Sequence, residues 1–186
     1  WALLPDGWAE NVQLTVENGV ISGLGPARGA SARRVDCLIP GAANLHSHAF
    51  QRAFAGLAEY RSAGAEDFWS WRSAMYHFAA HMTPEALEII AAQLYVEMLK
   101  AGYSAVGEFH YLHNSHLDQA LAMSQAVIAA SDTTGIALSH LPVFYEASDF
   151  GGKPPVTGQK PFLLSIESFN RVFSILNAHL SGRHRL

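Results

Sequence analysis

Hydrophobic and polar positions alternate with period two near the start of the chain. Val12, Leu14 and Val16 interleave with Asn11, Gln13, Thr15 and Glu17, which sets the aliphatic side chains on one face of a strand. Asn18–Gly19 follows, and this dipeptide closes tight hairpins because both residues accept positive φ. Val20–Ile21 begin a returning strand before a Gly/Pro-rich loop through Gly29. Strand and turn signals continue to Val35, and short strands of this kind cannot close a core by themselves.

The pattern changes at Asp36. Cys37–Leu38–Ile39–Pro40–Gly41 leads into Ala42–Ala43–Asn44–Leu45–His46–Ser47–His48, an apolar stretch that ends in two histidines. After a loop and a Trp-rich patch, Thr83–Pro84–Glu85 gives a helix start: an N-cap hydroxyl, a proline at the first helical position and an acid in the first turn. The helix runs from Pro84 to about Lys100, with Leu87, Ile90, Ala91, Leu94 and Met98 on one face and Gly102 as its stop. Ser104 to His110 reads as a strand, Leu117 to Ser131 as a helix stopped near Gly135, and Ile136 to Val143 as the next strand. Ser165 to about Leu180 is a further amphipathic helix after the loop Gly151 to Pro161. Strands alternating with helices define an α/β fold with a parallel sheet. A doubly wound sheet and a (β/α)₈ barrel both satisfy that grammar. A whole barrel takes roughly 250 residues, so the part after Asp36 holds well under half of one.

Composition narrows the class. Of 186 residues, 49% are hydrophobic and 15% charged, enough apolar material for a core and too little charge for disorder. The net charge of −4, with no run of like charges, argues against a nucleic-acid or anionic-membrane partner. No window approaches the roughly 18 apolar residues of a membrane span, and no signal peptide opens the chain. The single cysteine, Cys37, fits a reducing compartment and a cytoplasmic location, and in its apolar segment it reads as a small buried hydrophobe. The chain opens on Trp1 and closes on Ser181–Gly182–Arg183–His184–Arg185–Leu186, and neither end reads as a natural boundary. The expectation is a portion of a longer protein.

His46–Ser47–His48 is the sharpest chemical feature. Side chains two apart on a strand point to one side, so both imidazoles converge, and two neutral imidazoles can hold one zinc ion at about 2.0–2.1 Å each. At the C-terminal end of a barrel strand they would face the mouth where catalytic sites form. The pair alone is a weak motif. The apolar strand before it and the Pro40–Gly41 entry strengthen it.

Leu38–Ile39–Pro40–Gly41 with Asn44–Leu45–His46–Ser47–His48 resembles the first barrel strand of the amidohydrolase superfamily. Three longer stretches are similar, more narrowly, to the formimidoylglutamate deiminase family. They are His46-Ser-His-Ala-Phe-Gln-Arg52 with Ala55-Gly-Leu-Ala-Glu59, then Asp67-Phe-Trp-Ser-Trp-Arg72, then Gln93 to Tyr103 continuing through Glu108-Phe-His-Tyr-Leu-His113. The loop Phe150–Gly151–Gly152–Lys153–Pro154–Pro155 fits as well. The resemblance implies that residues 1–39 are part of a small β-sandwich domain. Residues 40–186 are then the first strands and helices of an incomplete (β/α)₈ TIM barrel. It implies one Zn²⁺ per site, with His46 and His48 as two of its ligands, and hydrolysis of N-formimino-L-glutamate to N-formyl-L-glutamate and ammonia. Arg72 and Tyr111 become contacts of the substrate's carboxylates, and Gln51 a polar contact near the metal. The third histidine, an Asp ligand and the acid/base residues are expected beyond the chain end. The partner expectation is a small-molecule dicarboxylate. A homodimer stays open, since the unpaired strand edges of an incomplete barrel favour association.

Taken without the family, the same residues have plainer readings. Arg72 can stack on Trp69, Trp71 and Tyr76, Tyr111 can tether a loop, and Gln51 can cap the turn after the histidines. Arg52 and Glu59 read as a solvated or structural pair, and Glu108 as a structural acid at a strand end. His77 and His81 share a helix-compatible spacing without an intervening glutamate and read as packing around Phe78. His110 is open to a supporting role behind the metal, His113 and His116 read as surface, and His140 as a hydrogen-bonded core histidine. Other readings of the whole remain: an amidohydrolase acting on a purine, cytosine or triazine ring, a non-catalytic remnant or interaction module, and a doubly wound nucleotide-binding domain. The last lacks any Gly-rich phosphate loop after a strand.

Overall fold

The computed structural model describes residues 1–29, 32–58, 68–180, 182 and 184–186. The chain divides into two compact units, Trp1–Gly41 and Ala42–Leu186.

In the first unit, strands β1 (Ala2–Leu4) and β2 (Gly7–Ala9) form one antiparallel hairpin, and β3 (Val12–Glu17) and β4 (Val20–Pro26) form another. The first hairpin has no expected counterpart, because its strands are too short to show a period. The second turns at Asn18 and Gly19, with φ of 53° and 78°, the double positive φ that a two-residue hairpin loop needs. Leu38 bridges to Ala2, its carbonyl accepting from the Leu3 N–H at 2.9 Å. Among the described residues of this unit only Ala2 is buried, so these hairpins indeed close no core. Cys37 is exposed. That corrects the buried reading: its segment is coil apart from the Leu38 bridge, and no layer covers it.

The second unit is built on a parallel sheet of order β5 (Ala42–Ser47), β6 (Tyr103–His110), β7 (Ala137–Pro142) and β8 (His184–Arg185). Helix α1 (Phe68–His81) and helix α2 (Pro84–Lys100) follow β5, α3 (Leu117–Thr134) follows β6, and α4 (Ile166–His179) follows β7. Helix α2 starts as its sequence dictates: the Thr83 hydroxyl accepts from the Ala86 N–H at 3.2 Å, and Gly102 leaves the helix at φ 93°. Tyr95 joins Leu87, Ala91 and Met98 on its buried face.

Helix α1 covers the Trp-rich patch, where the sequence pattern predicts no element. Phe68–His81 contains no Gly, Pro or β-branched residue. It buries Met75 and Ala79 one turn apart and lays Trp71 and Phe78 on Phe54, with ring centroids 6.2 and 5.4 Å away. Aromatic residues all around it hide its periodicity. Strand β8 is likewise unheralded, since a pairing of two residues leaves no pattern.

Alternation sorts the sheet into two faces. Val106, Glu108 and His110 of β6 and Leu138 and His140 of β7 are buried. On the other face Leu45 is 82% exposed and Leu141 is also exposed. Helices α2 and α3 pack against each other over the buried side, and their apolar residues join those of β6 and β7 in one core.

Candidate functional site

The site begins with an irregularity in β5. Asn44 pairs with Val106 and Ser47 with Glu108, so β5 carries an extra residue between those two rungs. Such a bulge re-aims the side chains around it. Gly107 makes room for it: a Cβ there would lie 3.1 Å from the Leu45 carbonyl oxygen. The Asn44 side-chain oxygen accepts from the His46 N–H at 3.2 Å, tying the bulge to itself.

Beyond the bulge the two imidazoles converge as their spacing predicts. The Nε2 atoms of His46 and His48 are 2.9 Å apart, with ring planes at 88°. The other nitrogen of His48, Nδ1, lies 3.0 Å from the Phe109 carbonyl oxygen. A carbonyl only accepts, so Nδ1 carries the hydrogen and the Nε2 lone pair is left facing His46. Burial holds the His48 pKa below its ordinary value against the raising effect of the Phe109 bond, and His46 lowers it further. His48 is therefore a neutral ligand-type imidazole at pH 7. Two such nitrogens on one tetrahedral ion would be about 3.3 Å apart at normal Zn–N lengths, so a small opening of the pair admits zinc. Among the described residues no group of three or more His, Cys, Asp or Glu is placed to hold a metal.

Gln51 and Tyr111 lie beside it. Gln51 sits in the 3₁₀ segment Ala49–Phe54, and its Nε2 donates to the Tyr111 hydroxyl at 3.0 Å. The Tyr111 ring meets His48 edge-on, 5.1 Å between centroids. Burial pushes the Tyr111 phenol up to about 12, with the Gln51 bond opposing and Glu108 adding to the rise. Gln51 thus holds a side chain at the site and caps no turn.

Arg72 is elsewhere. Its Nε donates to the Tyr76 hydroxyl at 2.5 Å, and its guanidinium lies 5.6 Å from the Trp69 ring and 5.1 Å from the Tyr76 ring. It lines a cavity of about 540 Å³ with Ser148, Asp149, Lys153 and Gln159. Aromatic contacts link this cavity to the histidine pair: Tyr76 on Phe162 at 5.7 Å, and Phe162 on Tyr111 at 5.0 Å. The stacked reading of Arg72 holds for Trp69 and Tyr76.

The remaining candidates sort by burial. Glu59 lies outside the described residues, as does Asp67, and Arg52 makes a two-pronged pair with Glu97 at 2.9 Å for each bond. His77 and His81 are exposed on α1, their rings 4.7 Å apart, and His77 meets Phe78 edge-on at 6.1 Å, so the contact with Phe78 holds for His77 on the surface. His116 is exposed as expected. His113 is fully buried, which corrects its surface reading: its Nε2 bonds the Val143 carbonyl at 2.8 Å, and its backbone N–H bonds that of Pro161. His140 is buried as expected, yet neither ring nitrogen has a protein partner, so it is not hydrogen-bonded. Its ring stacks against His110 at 4.9 Å.

Glu108 is a structural acid at the end of β6, as expected, and the structure shows what it holds. It is buried, accepts the Ala49 N–H at 2.5 Å and lies 3.4 Å from the Tyr95 hydroxyl. Burial raises its pKa to about 7 against hydrogen bonds from Ala49, Ser47 and Tyr95 that lower it. No motif signals this role, because its partners come from another strand and a helix.

The parallel sheet, the crossover helices and the imidazole pair at the end of the first strand have the arrangement found in the N-terminal part of amidohydrolase (β/α)₈ barrels. A crystal structure of an amidohydrolase from Brucella melitensis matches with a TM-score of 0.89 and 44% identity, covering 100% of this chain and 43% of that one. Atrazine chlorohydrolase from Arthrobacter aurescens TC1, crystallised with zinc, shares the fold alone, with a TM-score of 0.72 and 16% identity over 99% of this chain and 43% of its own. Within the class, the chain is similar to the N-terminal portion of formimidoylglutamate deiminase. The Pseudomonas aeruginosa enzyme of that name is 45% identical over 97% of this chain and 42% of its own length. A family model described as the N-terminal domain of formimidoylglutamate deiminase HutF matches residues 1–34. The chain therefore spans less than half the length of the curated relative it matches.

Proposed function

We propose that the protein carrying this chain hydrolyses N-formimino-L-glutamate to N-formyl-L-glutamate and ammonia, using one zinc ion held in part by His46 and His48. The observation that supports this most is the convergence of the two Nε2 atoms, with the His48 tautomer set by Phe109, in a chain 45% identical to a formimidoylglutamate deiminase. Residues 1–39 would be part of a small β-sandwich and residues 40–186 the opening strands of the barrel. The other metal ligands and the acid/base groups are expected in the part of the longer protein that this chain does not span.

A bound zinc ion lowers the pKa of water to about 7 and supplies a nucleophile at neutral pH. The chain's own residues set the surroundings. His46 and His48 turn their Nε2 atoms toward one point, and the His48 lone pair faces it. Gln51 and Tyr111, already bonded to each other, present an amide and a phenol next to His48. Arg72 can exchange its Tyr76 bond for a carboxylate, which its planar fork binds through two parallel hydrogen bonds. In the overall reaction water adds to the formimino carbon, the bond to the terminal nitrogen breaks, and ammonia leaves while the oxygen stays as formyl. A cytoplasmic location and a homodimer belong to the same proposal. Among the described residues no helix is long and apolar enough to cross a membrane.

The deciding assay is ammonia release by the longer protein from N-formimino-L-glutamate, set against purine, cytosine and triazine substrates. Turnover of a ring substrate without turnover of the formimino compound would transfer the site to the ring-hydrolysing readings. The 186 residues alone should release no ammonia, since catalytic zinc usually has three protein ligands.

A further inference from the structure

We infer that Glu108 is a positioning residue for the histidine pair: its buried carboxylate serves as the missing N-cap of the turn that carries His48. This rests on the proposed metal role of His46 and His48. The turn in question is the 3₁₀ segment Ala49–Phe54, whose N-cap is His48 itself. The first N–H groups of such a turn have no partner within it, and a cap side chain reaches those of the second or third residue. His48 supplies no such bond, its ring being turned away with Nδ1 on Phe109 and Nε2 toward His46, and the Ala49 N–H, the first of the turn, needs a partner from another element. Ala49 is completely buried, so water cannot take its N–H either. Glu108 of the neighbouring strand accepts that hydrogen, at 2.5 Å.

Three consecutive residues of β6 thus shape one ligand pair. Gly107 leaves space for the β5 bulge, Glu108 fixes the backbone just after His48, and the Phe109 carbonyl fixes the His48 ring. Tyr95 of α2 faces the second carboxylate oxygen and anchors it to the helix layer. The carboxylate bonds Ala49, Ser47 and Tyr95 and not the histidine rings, so its effect is on where the backbone around His48, and with it the ring, sits. Without it the N–H of a buried residue is left bare and the turn must shift, carrying His48 with it.

The experiment is a zinc titration of the longer protein, metal-free at the start, with thermal unfolding of the metal-free form measured in parallel. Glu108→Ala should weaken zinc binding roughly 10- to 100-fold, the range seen when groups that orient metal ligands are removed. Glu108→Gln keeps an oxygen for the Ala49 N–H and should stay within about threefold of wild type. If Glu108→Ala does not fold, Glu108→Asp, which withdraws the carboxylate by one methylene, should still weaken zinc about tenfold. Unchanged zinc affinity in the folded Ala or Asp variant, whatever its melting temperature, would overturn the inference. So would a Gln variant as weak as Ala. A wild-type protein that binds no zinc would instead overturn the metal reading itself, and this inference with it.

Discussion

The same residue type is used in two opposite ways at the C-terminal end of one sheet. His46 and His48 stand at the open end of β5, with one ring nitrogen fixed by a carbonyl and two others turned toward each other. His110, His113 and His140 lie behind β6 and β7, all buried, with His110 Nε2, His113 Nδ1 and both nitrogens of His140 lacking a protein partner. Burial lowers the pKa in both regions, at His48 and, down to about 3, at His140. The comparison teaches that being neutral does not make a histidine a ligand. A ligand also needs a preset tautomer and an open direction for its lone pair. His48 has both, whereas His113 has a tautomer set by the Val143 carbonyl but a buried free nitrogen, and the free nitrogens of His110 and His140 are buried as well.

The largest effect should come from breaking the pair. His46→Ala with His48→Ala should bring the zinc content of the longer protein to background, because two imidazoles of a minimal ligand set are lost. Zinc retained at one ion per chain in the double variant would move the metal elsewhere. Changing Arg72 to Ala should leave zinc in place and raise KM for a dicarboxylate roughly 10- to 100-fold, the scale of a lost charged hydrogen bond. A KM within twofold of wild type would leave Arg72 as a stacking residue only.

Acid should separate the two regions next. In the fold the trio stays neutral: His140 titrates near 3, through burial and the neighbouring His113, and burial likewise holds His110 and His113 below their ordinary value. The unfolded chain takes up those protons near pH 6.5. The unfolded state therefore binds more protons, and stability present above pH 6.5 is lost as the pH falls toward 3. Glu108 acts in the opposite sense. With a folded value of about 7 against 4.5, its contribution is complete below pH 4.5 and lost as the pH rises through 7. Between pH 4.5 and 6.5 the slopes oppose, and three histidines should outweigh one glutamate. His140→Leu should flatten the acid limb of a melting-temperature profile. An unchanged limb would mean that these histidines are hydrated or protonated in the fold.

A smaller effect is expected at the bulge. Gly107→Ala brings a methyl group against the Leu45 carbonyl, and overpacking of this kind costs about 1–3 kcal/mol. Denaturant unfolding of the longer protein would show it. A neutral result would mean that β5 and β6 part freely at the bulge.

Much of the fold was legible because local chemistry fixed it. Thr83–Pro84–Glu85 and Gly102 bound α2 on their own, Asn18–Gly19 turns its hairpin, and the His46/His48 spacing already implied convergence. Helix α1 was hidden by aromatic residues on every side. The burial of His113 was not visible either, since a histidine in a loop after a strand carries no sign of what will cover it. The candidate site was legible in its histidine pair and opaque in its support: the Phe109 carbonyl, the Gly107 clearance and the Glu108 bond are separated from the histidines by some 60 positions.

What the sequence determined by itself was therefore the alternation of strand and helix, the turn chemistry and the identity of two ligand-type side chains, all of which depend on neighbours a few residues apart. Only the tertiary structure decided which histidines are open and which are desolvated, which tautomer His48 holds, and that a glutamate from β6 caps the turn after β5. Those properties are set by dielectric surroundings and by hydrogen-bond partners that meet only when strands pair, and periodicity along a chain does not encode them.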